Sequence, residues 1–193
     1  MNKKIIKKRA YIIAEIGINH DGNFPKACKL VREAKKSGAD AVKFQVFKPE
    51  TLAGHLTIKS SDQKKNLKNL SLKNFWKKMS LNFSQLKKLK SITKKNKMDF
   101  ICSVFDIESL NLLKKIGVDA FKIASSDLTN HYLISKVYKT KKPLIISTGM
   151  ANENEIKKLF TIVNKKKIFL LHCVSKYPCE KKFANLKRIN SLK

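Results

Sequence analysis

Two lysines in this sequence lie inside segments that are otherwise apolar, and their type and position suit them to binding an anion. Each occupies the same place in a repeated Gly-x-Asp-Ala-x-Lys pattern, which begins at Gly38 and again at Gly117. The lysines of the two copies are Lys43 and Lys122. Burying an ammonium group is costly unless an anion meets it. We therefore expect both lysines to meet an anionic ligand, or else to pair with a carboxylate of the chain.

Each copy of the repeat follows a lysine-rich helical segment and opens a short run of β-branched and aromatic residues, which predicts a buried parallel strand. Side chains alternate along a strand, so Lys43 and Gln45 share one face while Phe44 occupies the other. The same alternation places Glu15 on the inner face of a first strand at residues 11–18. Pairing of Lys43 with Glu15, or of Lys122 with Asp127, is the structural alternative to a ligand.

Strands alternate with helices along the rest of the chain. We predict further strands at residues 99–105, 143–147 and 167–173, and a helix to about residue 96 that is capped by Ser84. Residues 48–80 form a long excursion with one short helix near Leu72. Strands alternating with helices predict a parallel α/β protein with right-handed crossovers.

Polar side chains gather in the last positions of the predicted strands or just beyond them. A (β/α) barrel builds its chemistry at this rim, whereas a doubly wound sheet has a glycine-rich turn after its first strand. Gly17-Ile-Asn-His-Asp-Gly22 does not match that turn. We predict a TIM-type barrel with these rim residues: Glu15, Lys43, Gln45, Ser103, Lys122, Ser125, Asp127, Ser147 and His172.

The chain is strongly basic, with 43 lysines and arginines against 14 acidic residues and a net charge of +29. Nearly all of the basic residues are lysines, whereas arginine is the residue that grips phosphates and bases bidentately. This bias favours a solvated lysine-rich surface over a specific nucleic-acid site, with some non-specific polyanion binding. The apolar run near the N-terminus is too short to span a membrane, and residues 1–10 form a basic tail.

The four cysteines, Cys28, Cys102, Cys173 and Cys179, lack CxxC spacing, and each lies in or beside an apolar run. This pattern predicts reduced, mostly buried thiols in a cytoplasmic protein. A zinc cluster of His172, Cys173 and Cys179 is disfavoured by the spacing.

Several segments together resemble one family. They are Ala14 to Gly22, Val42 to Gln45, Phe121 to Ser125, Ser147 to Met150, and Leu170 to Cys173 with Tyr177 and Pro178. In this order the segments are similar to the sialic acid synthase family, which comprises N-acetylneuraminate synthases and their legionaminate and pseudaminate relatives. The likeness runs from about Tyr11 to the end of the chain.

The resemblance implies a condensation of phosphoenolpyruvate with open-chain N-acetylmannosamine or a related N-acetylated amino sugar, assisted by a divalent metal such as Mn²⁺ or Mg²⁺. It implies that Lys43 and Lys122 hold the phosphate and carboxylate of phosphoenolpyruvate, and that His172 is a metal ligand. Glu15 would orient a water on that metal, and Asp127 would hold a sugar hydroxyl. The resemblance also implies a substrate-binding group made up of Asn19, Gln45, Ser103, Ser125, Ser147 and Tyr177.

The family barrel continues beyond the length of this chain and is followed by a small antifreeze-like domain that completes the active site of a dimer. We therefore expect residues 11–193 to form an incomplete barrel of about six βα units, without that domain. A homodimer is expected for full-length members of the family. Two alternatives remain. One is a non-catalytic fragment that binds polyanions, and the other is a different phosphoenolpyruvate-dependent aldolase of the same barrel type.

Overall fold

The computed structural model describes residues 10–53, 71–164, 168–176 and 178–192. The backbone divides into two compact units, Met1–Val118 and Asp119–Lys193, and each contains parallel strands with helices between them. The predicted α/β class is confirmed in both units. In the described part of the chain, no helix is both long enough and apolar enough to span a bilayer.

The first unit carries three parallel strands in the order β1, β2, β3. Its elements are β1 (Ile13–Gly17), α1 (Phe24–Lys36), β2 (Ala41–Val46), α2 (Pro49–Ala53), α3 (Leu72–Met79), α4 (Phe83–Lys95), β3 (Asp99–Val104) and α5 (Ile107–Ile116). The short helix predicted near Leu72 is present as α3, whereas α2 was not predicted. The remainder of the predicted excursion, residues 54–70, lies outside the described residues.

The strand register of this unit brings polar residues opposite one another. Glu15 on β1 lies opposite Lys43 on β2, and Gln45 on β2 lies opposite Ser103 on β3. Partners in parallel register point to the same face, so these four side chains share one face. On the opposite face, the core contains fully buried apolar side chains, including Phe44 and Phe100 of the strands and Leu86 and Leu89 of α4.

The second unit also carries three parallel strands, in the order β4, β5, β6. Its elements are β4 (Ala120–Ile123), a 3₁₀ turn at Ser125–Asp127, α6 (His131–Tyr138), β5 (Leu144–Ser147), α7 (Glu153–Ile162), β6 (Ile168–Leu171), a second 3₁₀ turn at Lys181–Phe183 and α8 (Arg188–Ser191). All residues of β4 and β5 are buried, whereas those of β6 are half-buried or exposed. These buried strands carry the second lysine, Lys122, into the interior of the unit.

The two copies of the glycine–lysine repeat have the same local backbone. Gly38 follows α1 with φ of 82°, and Gly117 caps α5 with φ of 77°. Such left-handed residues end helices, and glycine adopts them without a Cβ penalty. The repeat is therefore a structural repeat, in which each glycine turns the chain from a helix into a lysine-bearing strand.

Side-chain caps fix where most helices begin. Asp106 and Asn152 cap α5 and α7, and each side chain accepts a backbone N–H from the first turn of its helix. The predicted cap at Ser84 is wrong, because Asn82 accepts the Gln85 backbone N–H and the Gln85 side chain accepts the Asn82 N–H. This reciprocal pair satisfies two helix-terminal donors, so α4 begins at Phe83 and Ser84 becomes an exposed residue of its first turn.

Candidate active site

Lys43 lies on the polar face of β2 and is held by two neighbouring strands. Its ammonium forms an ion pair with the Glu15 carboxylate of β1 and donates to the Ser103 hydroxyl of β3 over 3.3 Å. The Lys43 side chain is 14% exposed, whereas that of Glu15 is 45% exposed. The structural alternative, in which Lys43 pairs with Glu15, is therefore present, and the chain itself supplies an anion to Lys43.

Gly17, at the end of β1, leaves room for the Glu15 side chain. A Cβ at Gly17 would lie 3.0 Å from Glu15 Oε1 and 3.3 Å from Gln45 Nε2. The carboxylate of Glu15 and the amide of Gln45 therefore both lie against this glycine. Because φ of Gly17 is 53°, another residue there would be strained as well as crowded.

The loop after β1 is organised by His20 rather than by Asn19. His20 is 1% exposed, and its Nδ1 accepts the Gly22 backbone N–H over 3.0 Å. Burial lowers the pKa of His20 below its usual value, so the neutral imidazole is favoured. Asn19 is exposed on this loop. The sequence pattern included His20 in the motif but did not assign it this role.

Lys122, the second lysine of the repeat, is 6% exposed on β4. Its ammonium donates to the Ile123 carbonyl over 2.6 Å and to the Ser147 hydroxyl over 2.5 Å. Ser147 is the last residue of β5. Each unit therefore contains a lysine hydrogen-bonded to a serine on the neighbouring strand, Lys43 with Ser103 and Lys122 with Ser147.

Ser147 has a second neighbour that the sequence did not single out. Cys173 Sγ donates to the Ser147 hydroxyl over 3.2 Å. The strand ends are also joined at Thr148, whose backbone N–H and hydroxyl both donate to the Leu171 carbonyl, at 3.0 and 2.9 Å. Leu171 directly precedes His172, so Thr148 fixes the start of the segment that carries both His172 and Cys173.

Ser125 lies beside the turn that follows β5. Its hydroxyl accepts the Gly149 backbone N–H over 3.1 Å. A Cβ at Gly149 would come within 2.8 Å of the Cys173 carbonyl oxygen, so the turn after β5 lies close against the segment after β6. Ser125, Gly149 and Cys173 are thus drawn together in the second unit.

Asp127 ends the 3₁₀ turn after β4, and its carboxylate accepts a hydrogen bond from the Ser126 hydroxyl over 3.1 Å. Burial raises the pKa of Asp127, and the Ser126 hydrogen bond and the charge of Lys122 oppose that rise. The alternative in which Asp127 neutralises Lys122 is therefore present as an electrostatic attraction. The Lys122 ammonium also donates hydrogen bonds to Ser147 and Ile123.

His172 follows β6, and its two ring nitrogens differ. Nε2 lies 2.6 Å from the Ala184 carbonyl oxygen, which can only accept, so Nε2 carries the proton. Nδ1 is buried and has no hydrogen-bond partner among the described residues. Its lone pair is suited to one bond with a metal ion, although the described residues contain no group of three or more His, Cys, Asp or Glu that could hold one.

The burial of the four cysteines agrees only in part with the sequence expectation. The cysteines are free thiols, but only Cys28 and Cys102 are buried, while Cys173 is half-buried and Cys179 is exposed. The expectation of mostly buried thiols is therefore wrong for the two cysteines that follow β6, because that segment lies on the surface of its unit. Tyr177, a predicted substrate-binding residue, lies outside the described residues.

Together these features define the class of this protein. The chain is an α/β protein whose parallel strands carry buried or half-buried lysines, each bonded to a serine hydroxyl, as in sites that bind anionic ligands. Residues 30–193 match the NeuB family, and the chain belongs to this family.

The chain is 38% identical over 192 residues to N,N'-diacetyllegionaminic acid synthase of Campylobacter jejuni. It is 35% identical over 189 residues to N-acetylneuraminate-9-phosphate synthase of Drosophila melanogaster. Its fold is similar to N-acetylneuraminic acid synthetase of Leptospira borgpetersenii, solved in complex with citrate, with a TM-score of 0.80 and 34% identity. The resemblance to the sialic acid synthase family is confirmed.

These similarities cover almost all of this chain but only part of each relative. The alignments span 96% of this chain and 58% of the Campylobacter protein, and 95% of this chain and 50% of the Drosophila protein. The structural match covers 94% of this chain and 60% of the Leptospira chain. The chain thus spans about half to three-fifths of the length of these relatives.

Proposed function

We propose that this chain forms part of a nonulosonic acid synthase that condenses phosphoenolpyruvate with an N-acetylated amino sugar such as N-acetylmannosamine. The observation that carries the proposal is the lysine–serine pair at the strand ends of each unit, in a chain whose relatives are named as synthases of such acids. The Leptospira borgpetersenii relative was solved in complex with citrate, which is an anion as phosphoenolpyruvate is. The TIM-type barrel and a homodimer in the full-length protein belong to the same proposal.

In the proposed reaction, a carbon–carbon bond forms between the methylene carbon of phosphoenolpyruvate and the aldehyde carbon of the sugar. Water adds to the former enol carbon, and inorganic phosphate leaves. Lys43 and Lys122 would each hold an anionic group of phosphoenolpyruvate and stabilise the charge that moves as phosphate departs. The hydroxyls of Ser103, Ser125 and Ser147 would donate to the same anionic oxygens.

The remaining groups have proposed roles towards the sugar and water. Glu15 would orient the attacking water, and Asp127 would bind a sugar hydroxyl, with further contacts from Asn19, Gln45 and Tyr177. His172 would offer Nδ1 to a divalent cation such as Mn²⁺ or Mg²⁺. When bound, that cation would polarise the aldehyde oxygen of the sugar. Its other ligands would be water, substrate or residues outside the described part of the chain.

Phosphate release tests the proposed activity. The chain is incubated with phosphoenolpyruvate, N-acetylmannosamine and Mn²⁺, and inorganic phosphate is measured with and without the sugar. We expect sugar-dependent release, either from the chain alone or after a polypeptide covering the rest of a relative is added. An absence of release under both conditions would reject the activity.

Matched lysine variants test the site. We expect Lys122→Met to weaken phosphoenolpyruvate binding by about 10-fold or more, because a charge-assisted hydrogen bond contributes roughly 1.5–3 kcal/mol. Lys43→Met should have a smaller effect, since its charge is already neutralised in part by Glu15. The exposed Lys139→Met is the control and should bind as the unchanged chain does.

Non-specific polyanion binding is a second candidate function, favoured by the net charge of +29. It predicts RNA retention that falls steeply as salt is added and that does not respond to Lys43→Ala. Filter binding across a salt series measures this directly. Retention that persists at high salt would contradict a purely electrostatic interaction.

A further inference from the structure

The hydroxyl of Ser147, at the end of β5, lies between two hydrogen-bond donors, one on β4 and one in the segment after β6. Lys122 Nζ donates to it over 2.5 Å, and Cys173 Sγ donates over 3.2 Å. A serine hydroxyl has two lone pairs and one proton. An ammonium can only donate, so Lys122 occupies one lone pair in every arrangement of protons.

The Cys173 thiol then determines whether the second lone pair of the Ser147 hydroxyl is occupied and where the hydroxyl proton is directed. With the thiol donating, both lone pairs of Ser147 are occupied, and its own proton is directed away from Lys122 and Cys173. Without the thiol, one lone pair is vacant and the hydroxyl can rotate between donating and accepting. A thiol is a weak donor as well as a weak acceptor, and in this structure it is the thiol that donates to Ser147.

We infer that Cys173 is a positioning residue, which holds the Ser147 hydroxyl as a hydrogen-bond donor towards an oxygen of the anionic ligand. The inference rests on the proposed function, because that function supplies the anion. Cys173 itself touches neither ligand nor reacting atoms in this role. Its thiol is half-buried, and the two Thr148 hydrogen bonds to the Leu171 carbonyl hold the backbone two residues before it.

Variants at two cysteines give the first test. We expect Cys173→Ala to weaken phosphoenolpyruvate binding about two- to ten-fold, the range for one lost neutral hydrogen bond. Cys173→Ser keeps a donor at this position and should restore binding to within about two-fold of the unchanged chain. Cys179→Ala removes an exposed thiol, which contacts the Glu180 carbonyl, and should leave binding unchanged. Isothermal titration calorimetry measures all three.

A double-mutant cycle separates positioning from loss of packing. If Cys173 acts through Ser147, Cys173→Ala should add less than about two-fold to the effect of Ser147→Ala, because the group it orients is already absent. Independent, multiplying effects of the two substitutions would overturn the inference. Thermal unfolding of each variant shows whether a loss of binding reflects a loss of folded protein.

A test that needs no ligand distinguishes failure of this inference from failure of the proposed function. In a Cys179→Ala background, alkylation of Cys173 by iodoacetamide is followed by mass spectrometry. Ser147→Ala removes the acceptor of the thiol proton and so removes a stabilising contact of the neutral thiol, and alkylation should therefore accelerate several-fold. An unchanged rate refutes the inference alone, whereas a chain that binds no phosphoenolpyruvate refutes the proposed function.

Discussion

The carboxylate of Glu15 pairs with the ammonium of Lys43 at the register position that joins β1 to β2. Because this carboxylate would compete with phosphoenolpyruvate for Lys43 in the proposed site, we expect Glu15→Gln to bind phosphoenolpyruvate more tightly. The gain should be about two- to five-fold, since a partly exposed ion pair is worth roughly 0.2–1 kcal/mol. Calorimetric titration measures it. Glu33→Gln, which breaks a surface pair with Lys36 on α1, is the control.

The same variant separates two roles of Glu15. If Glu15 acts on water, phosphate release should fall even while phosphoenolpyruvate binds more tightly. Weaker binding by Glu15→Gln would show instead that the carboxylate helps to hold the ligand, and the proposed competition would be wrong.

Two glycines with similar φ angles differ in their surroundings. A Cβ at Gly22 would lie 2.0 Å from the Lys78 carbonyl oxygen, whereas a Cβ at Gly38 would meet nothing within 4 Å. We expect Gly38→Ala to lower the free energy of unfolding by about 1–2 kcal/mol, the cost of a left-handed residue. Gly22→Ala should cost about 1–3 kcal/mol more, because a backbone group must move. Urea unfolding compares them, and equal losses would contradict the close approach at Gly22.

The first turn of α4 offers a direct comparison of two capping candidates. Asn82→Ala removes the side chain that accepts the Gln85 N–H and should lower the free energy of unfolding by about 1 kcal/mol. Ser84→Ala, two residues further on, should change it by less than about 0.5 kcal/mol. Chemical denaturation of both variants checks this. A larger loss for Ser84→Ala would show that the helix begins later.

The buried His20 predicts a dependence of stability on pH. Burial lowers its pKa in the folded chain, so the unfolded chain binds the proton more readily between the folded value and the ordinary value near 6.5. The contribution of His20 is fully present above about pH 6.5 and is lost as pH falls towards the folded value.

His20→Asn can retain an acceptor for the Gly22 N–H without titrating. We expect its free energy of unfolding to fall less between pH 7 and pH 5 than that of the unchanged chain, even if the smaller side chain lowers both values. Urea unfolding at several pH values gives the difference. Parallel curves for the two proteins would rule out a titrating His20.

The half-buried Asp127 predicts a pH dependence of stability opposite to that of His20, with stability falling as the pH rises. Burial raises the pKa of its carboxyl in the folded chain, so the unfolded chain gives up this proton first, and stability falls as the pH rises from about 3.9 through the folded value. Asp127→Asn keeps an acceptor for the Ser126 hydroxyl and removes the charge. We expect it to raise the thermal midpoint at pH 7, with the gain vanishing below about pH 3.9, where both states are protonated. A gain that is independent of pH would point to another cause.

Much of the backbone was predictable because local chemistry decides it. Gly38 and Gly117 adopt the left-handed conformation at the ends of α1 and α5. Asp106 caps the start of α5 and Asn152 that of α7, and the apolar runs form the expected strands. At α4 the relevant signal was also present, since Asn82 stands three residues before Gln85 in the capping-box pattern. Choosing Ser84 overlooked that reciprocal pair.

The pairing of polar side chains at the strand ends was harder to predict from the sequence. Periodicity placed Lys43 and Glu15 on one face, but only the register shows that they lie opposite each other. Lys122, with the same local sequence, is instead bonded to Ser147, because β5 ends beside it. The roles of Thr148 and Cys173 depend on the Leu171 carbonyl and the Ser147 hydroxyl, which lie far from them in sequence, and composition and spacing do not report such contacts.

The close approach at Gly149 limits which positions of the turn after β5 tolerate a larger residue. Any larger residue at 149 would push against the Cys173 carbonyl and disturb the segment carrying His172. Met150, the next residue along, is 64% exposed. A saturation library should therefore keep 149 as glycine and diversify 150, where new side chains can be accommodated without rebuilding the turn.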